Sequence, residues 1–298
     1  VVVMWMAVQI PFQIGISTRH FRELWQYGGP MLIAETTAWS TSQTPRFVLG
    51  LFFGPAEVGL FALGARLNEM LIHLTLHPPF SVARIEMRRF ADDRQGLELS
   101  VRDLLQRMAV LCFPLAIGGA VVTPLLFEIW LDDRWNGAAT LTRILLISSM
   151  PYVVHYALSA ALLGMNRQSA IAANSTVQGI TTVILIIISA PFGLIATVAT
   201  FGIRPLLTAP IPMHYLRRDA GMPFAVVSSA LVPILASAVL MGLILLALAA
   251  AVDAVSRQPA ALMLPVLTVT GIAVYGLLLS VLEPECLRVL LQRFRPRD

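Results

Sequence analysis

Long apolar runs separated by short polar loops constrain this sequence more than any other feature. An α-helix needs about 20 apolar residues to cross the hydrocarbon core of a bilayer. Nine runs approach or reach that length, the first of them partial: Val1–Ile16, Gly28–Phe53, Glu57–Val82, Leu105–Leu131, Ala138–Gly164, Ser169–Ala190, Phe192–Tyr215, Pro223–Val252 and Ala261–Leu282. Because no long polar domain interrupts them, the sequence predicts an all-α fold, a polytopic transmembrane helix bundle of about nine spans.

The composition excludes a soluble globular domain and argues against nucleic-acid binding. Charged residues make up 13% of the chain, against about 25% in soluble domains. All basic residues are arginines, and the arginine-rich stretches are short loops beside the apolar runs, so nucleic acid is not expected as a partner. The two cysteines, Cys112 and Cys286, suit neither a metal site nor a disulfide framework.

The arginines also predict the orientation of the chain. If the loop after the first run is placed inside, fifteen of the 21 arginines fall in inner segments, whereas only Arg134 and Arg257 fall in outer loops. This asymmetry places the C-terminus in the cytoplasm. The largest hydrophilic segment, residues 84–107, then lies inside and is predicted to be an amphipathic helix at the lipid interface.

Four arginines lie within apolar runs, where a charge costs about 2.5–3.5 kcal/mol or more at the bilayer centre. They are Arg46, Arg66, Arg143 and Arg204. Such residues are candidates for contacts with an anionic substrate. Arg143 is close enough to the outer end of its run to reach the interface, and it is the weakest of the four candidates.

Arg204 lies near the middle of its run, too far from either end to reach water easily. Thr197, Thr200 and Thr208 fall on the same helical face. A guanidinium suits bidentate phosphate binding. Two interpretations remain open for Arg204, a substrate contact and a buried structural pair.

The run Gly28–Phe53 is unusually polar. Glu35, Ser42 and Arg46 share one of its faces, and Gln43 lies beside them in the sequence. Glu35 and Arg46 are 11 residues apart, about 16 Å along a helix, and cannot pair with each other. Arg46 therefore needs a partner on another helix, water or a substrate, and Ser42 and Gln43 are further candidates for a polar cavity.

The next run repeats the pattern, since Arg66, Glu69, His73 and His77 share one face. Arg66 and Glu69 are spaced for a local ion pair. Glu69 and His73, together with Glu35, are candidates for proton or ion coupling, because carboxyl and imidazole groups change protonation readily when partly buried. The alternative for the histidines is a structural hydrogen bond, and no ligand set for a metal accompanies them.

Several motifs resemble the polysaccharide and lipid-linked oligosaccharide flippases of the multidrug/oligosaccharidyl-lipid/polysaccharide exporter superfamily. The stretch PRFVLGLFFGPAEVGLFALGARL, from Pro45 to Leu67, carries the family's arginine and glycine spacing. WLDDRWNGAATLTRIL resembles its turn before a later span, and LLGMNR and PFGLIA fit the same order. One departure is Pro45, which stands where the family usually has an acid before Arg46.

The resemblance implies two six-helix bundles facing each other, two further helices, and transport of an undecaprenyl-diphosphate-linked saccharide across the bacterial inner membrane. The chain would then hold a partial span of the first bundle at 1–16, a cytoplasmic linker at 17–27, and the second bundle at 28–215. The two further helices and a basic tail would follow at 216–298. On this interpretation an N-terminal part of the protein precedes Val1.

The expected partners are a lipid-linked saccharide, membrane lipids and polysaccharide-assembly membrane proteins, with no cofactor. No enzyme motif is present, such as a nucleophile elbow, a phosphate-cradling loop or a zinc-binding HExxH sequence. The alternatives are a membrane-embedded glycan ligase or acyltransferase, and a truncated membrane protein that does not transport.

Overall fold

The computed structural model of the protein describes residues 43–90, 93–255 and 260–282. The chain divides into two compact units, residues 1–45 and residues 46–298. Only the last three residues of the first unit are described, and they are helical. The fold of the second unit is therefore what positions the candidate site.

The described residues are almost entirely helical and contain no β-strand, which confirms the predicted all-α class. Three short 3₁₀ turns, at Met87–Phe90, Asp133–Trp135 and Ala190–Phe192, connect the helices. The helices are α1 (residues 43–53), α2 (Pro55–Thr75), α3 (His77–Glu86), α4 (Arg94–Trp130), α5 (Asn136–Ser148), α6 (Tyr152–Gly164), α7 (Gln168–Ser189), α8 (Leu194–Thr208), α9 (Pro210–Ala220), α10 (Ala225–Val255) and α11 (Ala260–Leu282).

Six helical segments of the described chain are long and apolar enough to cross a membrane. They are Arg94–Trp130, Gly137–Gly164, Gln168–Phe192, Leu194–Ala220, Ala225–Val252 and Leu262–Leu282. They correspond to the last six of the nine predicted spans. The protein is therefore a multi-pass membrane protein, while the count of nine is not confirmed.

Of the other three predicted spans, two lie wholly or partly outside the described residues, and the third forms helices that are less apolar. The span Val1–Ile16 and the first part of Gly28–Phe53 lie outside the described residues, as do the linker at 17–27 and the basic tail after residue 282. The span Glu57–Val82 forms α2 and the beginning of α3. It does not join the six because charged residues within α2 lower its apolar character, although the 21 residues of α2 reach about 31 Å.

Two of the six membrane segments, and the predicted span Glu57–Val82, are interrupted by breaks at or near prolines. α2 ends before α3, which carries Pro78 in its first turn. α5 ends at Ser148 and α6 begins after Pro151, and α8 ends at Thr208, two residues before Pro210. Proline lacks the amide hydrogen that continues a helix, and it fits best in a first turn. The break between α5 and α6 lies near the middle of the segment Gly137–Gly164.

The hydrophilic segment 84–107 is not a separate interfacial helix. It contains the end of α3, a 3₁₀ turn and the first part of α4, which continues without interruption to Trp130. The 37 residues of α4 extend over about 55 Å, well beyond the thickness of a bilayer core. The apolar side of the segment, including Leu97, Val101 and Leu105, is fully buried against the protein rather than in lipid.

Two main apolar clusters, with a minor third one beside them, hold the described part of the bundle together. The larger one buries residues of α4, α6 and α10, such as Met108, Leu158 and Ile234. The smaller one joins α2, α5 and α8 through Phe61, Leu141 and other residues. α5 contributes to the smaller cluster and α6 to the larger, and Met150 in the break between them packs against the larger cluster and against the minor one formed by Leu71, Ala116 and Leu146.

The smaller cluster depends on a close approach of α2 to α5 at Gly64. A Cβ atom at this position would lie 2.9 Å from Thr142 Oγ1 and 3.2 Å from the Thr142 Cα. Thr142 is fully buried, and its hydroxyl donates to the carbonyl of Ala138 in its own helix. The backbone of α5 therefore cannot move aside without disturbing the packed cluster.

We expect Gly64→Ala to destabilise the bundle by about 1–3 kcal/mol, the usual cost of overpacking a close-packed core. The measurement is the thermal unfolding midpoint of the detergent-solubilised protein. The matched control is Gly59→Ala on the same helix, where an added Cβ meets no atom within 4 Å. Equal midpoints for the two variants would contradict the close approach at Gly64.

Candidate functional site

Arg204 of α8 lies in a polar site between α6, α7 and α8. Its Nη1 donates to the Thr182 hydroxyl of α7 at 2.8 Å, and its Nη2 donates to the Tyr152 hydroxyl of α6. The guanidinium carbon also lies 5.5 Å from the centre of the Tyr152 ring. The guanidinium is thus held in place by two neutral groups on two neighbouring helices.

The charge of Arg204 has no acidic partner among the described residues. None of the ion pairs found there includes this guanidinium. Its Nε is buried and donates to no acceptor. A buried donor without a partner costs about 1–3 kcal/mol, more when it is charged. Among the described residues the positive charge of Arg204 is therefore not neutralised, and one of its donors stays unpaired.

The threonines on the same face of α8 as Arg204 use their hydroxyls to bond backbone carbonyls, whereas the sequence predicts them as part of a polar face. Thr197 donates to the carbonyl of Gly193, Thr200 to that of Thr197, and Thr208 to that of Arg204. These hydroxyls bond the backbone of their own helical segment. The polar partners of Arg204 come instead from α6 and α7.

A second polar group, next to Tyr152, surrounds His155. The Gln178 amide nitrogen lies 2.9 Å from His155 Nδ1, and the Asn174 amide nitrogen lies 3.4 Å from the same atom. Asn174 is 1% exposed, and its Oδ1 has no hydrogen-bond partner. Asn174, Gln178 and Thr182 follow each other at four-residue intervals, so α7 presents one polar stripe to its neighbours.

Sequence reasoning missed His155, Asn174 and Gln178. The available signal was the four-residue spacing of polar residues in α7, beginning at Asn174. That signal is weak, because the same helix carries other serines and threonines that are exposed, such as Ser175 and Thr176.

The two histidines that the sequence predicts on one face, His73 and His77, lie close to the same site. The rings of His73 and His77 stack with their centres 4.4 Å apart, across the break between α2 and α3. His77 Nε2 lies 3.1 Å from the Tyr156 hydroxyl of α6, and Tyr156 is next to His155 in the chain. No group of three or more metal-ligating side chains occurs in the part of the chain that the structure describes.

Glu69 pairs with Arg46 and not with Arg66. The Arg46 Nη2 and Glu69 Oε1 atoms are 2.7 Å apart, joining α1 to α2. This corrects the local pair that the spacing of Arg66 and Glu69 predicts. The reason is geometric, since the Arg66 side chain is exposed on α2 whereas Glu69 is half-buried facing α1.

Of the remaining candidates, Arg143 and Gln43 lie within the described residues. Arg143 on α5 is exposed. Gln43 is half-buried on α1 and has an interaction partner. Glu35 and Ser42 lie outside the described residues. The structure thus brings Arg204 together with residues of α6 and α7, and Arg46 together with Glu69.

The break between α5 and α6 places a helix terminus at the Arg204 site. α6 begins at Tyr152, and the amide of Tyr152 bonds to the Ser149 carbonyl at 3.1 Å in a tight turn. The positive end of the α6 dipole therefore lies at the residue that accepts from Arg204. Half-helix N-termini of this kind, at the middle of a membrane span, favour anionic groups.

Comparisons with known proteins are consistent with this architecture. Residues 1–140 match the sequence model of a family described as polysaccharide biosynthesis protein. No curated protein sequence is significantly similar to the chain. These 140 residues include α1 and α2, where the motifs resembling the exporter superfamily begin.

Among solved structures, the fold is similar to that of the lipid II flippase MurJ in its inward closed conformation. The TM-score is 0.74 at 13% sequence identity, and the match covers 97% of this chain. The chain spans 60% of the length of that structure. This similarity shows the fold, and together with the family match over residues 1–140 it supports the resemblance to the exporter superfamily that the motifs indicate.

We expect the Arg46–Glu69 pair to couple the stabilities of α1 and α2. In a double-mutant cycle with Arg46→Gln and Glu69→Gln, the two effects should be non-additive by up to about 1 kcal/mol, because both side chains are partly exposed and the attraction is screened. Thermal unfolding in detergent measures the cycle. A control cycle pairing Arg143→Gln with Glu69→Gln should be additive, and additivity in both cycles would exclude the pair.

Proposed function

We propose that this chain forms part of an exporter that moves an undecaprenyl-diphosphate-linked saccharide across the bacterial inner membrane. The support comes from three independent sources. The family matched by residues 1–140 is described as polysaccharide biosynthesis protein, the similar solved structure is named a lipid II flippase, and six helices can cross a membrane. On this proposal the chain binds and moves its substrate and catalyses no covalent step.

The Arg204 site carries the proposal. A charged guanidinium near the middle of a membrane segment is costly unless an anion or water compensates it. Arg204 is held by Tyr152 and Thr182, has no acidic partner among the described residues, and keeps one donor unpaired. A diphosphate headgroup supplies the missing negative charge and accepts charge-assisted hydrogen bonds.

The surroundings of Arg204 favour an anion over a cation. The positive end of α6 lies at Tyr152, and the neighbouring groups on α7 are uncharged amides and hydroxyls. In a medium of low dielectric, such preorganised positive groups interact more strongly with an anion than they do in water. An exporter of cationic drugs requires acidic groups at this position instead.

Arg46 contributes differently in this proposal. Its pair with Glu69 partly neutralises its charge, so its contact with an anion depends on separation of that pair. Arg66 is exposed and free to contact an anion at the surface of α2. Among the described candidates, Arg204 is therefore the primary anchor of the diphosphate, with Arg46, Arg66 and Gln43 as further contacts along the path.

Ion coupling is the second part of the proposal. Glu69 and His73 lie one helical turn apart on α2, and His73 stacks on His77, which contacts Tyr156 of α6. A proton bound at Glu69 weakens the Arg46–Glu69 pair, because the neutral carboxyl loses its charge. Protonation there would release Arg46 toward an anion, and Glu69 and His73 are the groups on which this coupling depends.

We expect Arg204→Ala to abolish surface polysaccharide in cells that depend on this protein, with its abundance in the membrane unchanged. The physical reason is the loss of the uncompensated positive charge. Arg204→Lys keeps that charge but loses the planar donor geometry, so it should retain partial activity. The measurement is surface glycan by lectin or antibody staining, normalised to membrane protein.

The matched control is Arg143→Ala, which removes another arginine from an apolar run but one whose side chain is exposed. Its surface glycan should stay close to the wild-type amount. Full surface glycan in the Arg204→Ala strain would contradict the role given to Arg204.

A further inference from the structure

The polar stripe of α7 has more hydrogen-bonding capacity than its present contacts use. Asn174 and Gln178 both direct an amide nitrogen at Nδ1 of His155, which has one lone pair to accept with. The Oδ1 atom of Asn174, a residue 1% exposed, has no partner at all. Buried polar groups in proteins are nearly always paired, so this surplus needs an explanation.

The unused hydrogen-bonding capacity of the stripe lies next to Arg204. Thr182, the last residue of the stripe, accepts from Arg204, whose own Nε is also buried without a partner. From Asn174 to Thr182 the stripe extends over about 12 Å along the axis of α7. It runs from the guanidinium toward Gln168, the end of α7 that the arginine asymmetry places in the cytoplasm.

The side chains of the stripe and the His155 ring beside it are all polar groups of the same kind, able to exchange hydrogen bonds. Amides, an imidazole and hydroxyls offer both donors and acceptors, and Arg204 is the one charged residue in their recorded contacts. Neutral groups of this kind exchange hydrogen bonds with hydroxyl and acetamido groups without burying a net charge. They offer no compensation to a carboxylate, which would lie far from the single guanidinium.

We propose that Asn174, Gln178 and His155 form a subsite for an uncharged sugar residue attached to the diphosphate. The proposal rests on the proposed function, because the phosphate on Arg204 fixes where the first sugar lies. In this arrangement the phosphate binds at Arg204 and the sugar lies along α7 on the cytoplasmic side. Its hydroxyls replace the side-chain contacts of His155 and take up the unpartnered Oδ1 of Asn174.

α7 is suited to such an exchange because apolar packing contributes little to its attachment. Its buried positions are mostly small or polar, namely Ala170, Asn174, Thr182, Ile186 and Ser189. The contacts that a sugar must replace are hydrogen bonds between side chains on different helices. Replacing them with hydrogen bonds to a ligand preserves their number, whereas opening an apolar contact would expose a core.

The test measures binding of two lipids to the full 298-residue chain in lipid nanodiscs. One is undecaprenyl diphosphate, and the other is the same lipid carrying a single neutral N-acetylhexosamine. Asn174→Leu keeps the branched shape of the side chain, Gln178→Met keeps a similar length, and both remove the amides. Each should weaken binding of the glycosylated lipid about 3–10-fold, the range of one lost hydrogen bond, and change binding of the bare lipid less than twofold.

The control is Thr176→Val on the exposed side of α7, whose hydroxyl bonds only the Ala172 carbonyl of its own helix. It should bind both lipids as the wild type does. If Asn174→Leu fails to fold, Gln178→Met alone decides, because Gln178 is less buried.

The outcomes separate this subsite from the function on which it rests. Equal weakening of both lipids, or no weakening of either, overturns the sugar subsite and leaves Arg204 as an anion site. If the wild type binds neither lipid, or Arg204→Ala binds both normally, the proposed function fails and the subsite fails with it. Selective weakening of the glycosylated lipid supports both.

Discussion

The contact of Arg204 with Tyr152 and Thr182 is the interaction on which the functional account depends. It places a positive charge near the middle of a membrane segment and, among the described residues, fixes that charge with neutral groups only. A carboxylate partner would have made the arginine a structural residue. In the described part of the chain two hydroxyls instead orient the guanidinium without neutralising it, and this is why we propose an anion site rather than a buried ion pair.

The fold supplies this arrangement through interrupted helices. An unbroken helix from α5 through α6 would have no terminus at the level of Arg204, and Tyr152 would lie in the middle of a helical turn. The break at 149–151 ends the packing of α5 in one apolar cluster and begins the packing of α6 in the other. Irregular backbone at this depth is tolerated because it is surrounded by protein.

The sequence predicts the fold class and the last six spans well, because apolar length is a strong and local signal. It also identifies Arg204, since an intramembrane arginine is conspicuous. It does not predict the partners of charged residues. Glu69 has arginines within reach in two directions, and only the packing of α1 against α2 selects Arg46 over Arg66. The sequence does not single out Tyr152, His155 and Asn174, because single neutral polar residues are common in membrane helices.

The central claim is that an anionic lipid headgroup binds at Arg204 between α6 and α8. The most direct measurement is photo-crosslinking with an undecaprenyl diphosphate that carries a photoreactive group beside the phosphates, followed by mapping of the labelled peptides. The account predicts labels within Tyr152–Gly164 and Leu194–Thr208 that disappear in Arg204→Ala. Labels confined to lipid-facing helices, and unchanged in Arg204→Ala, would contradict it.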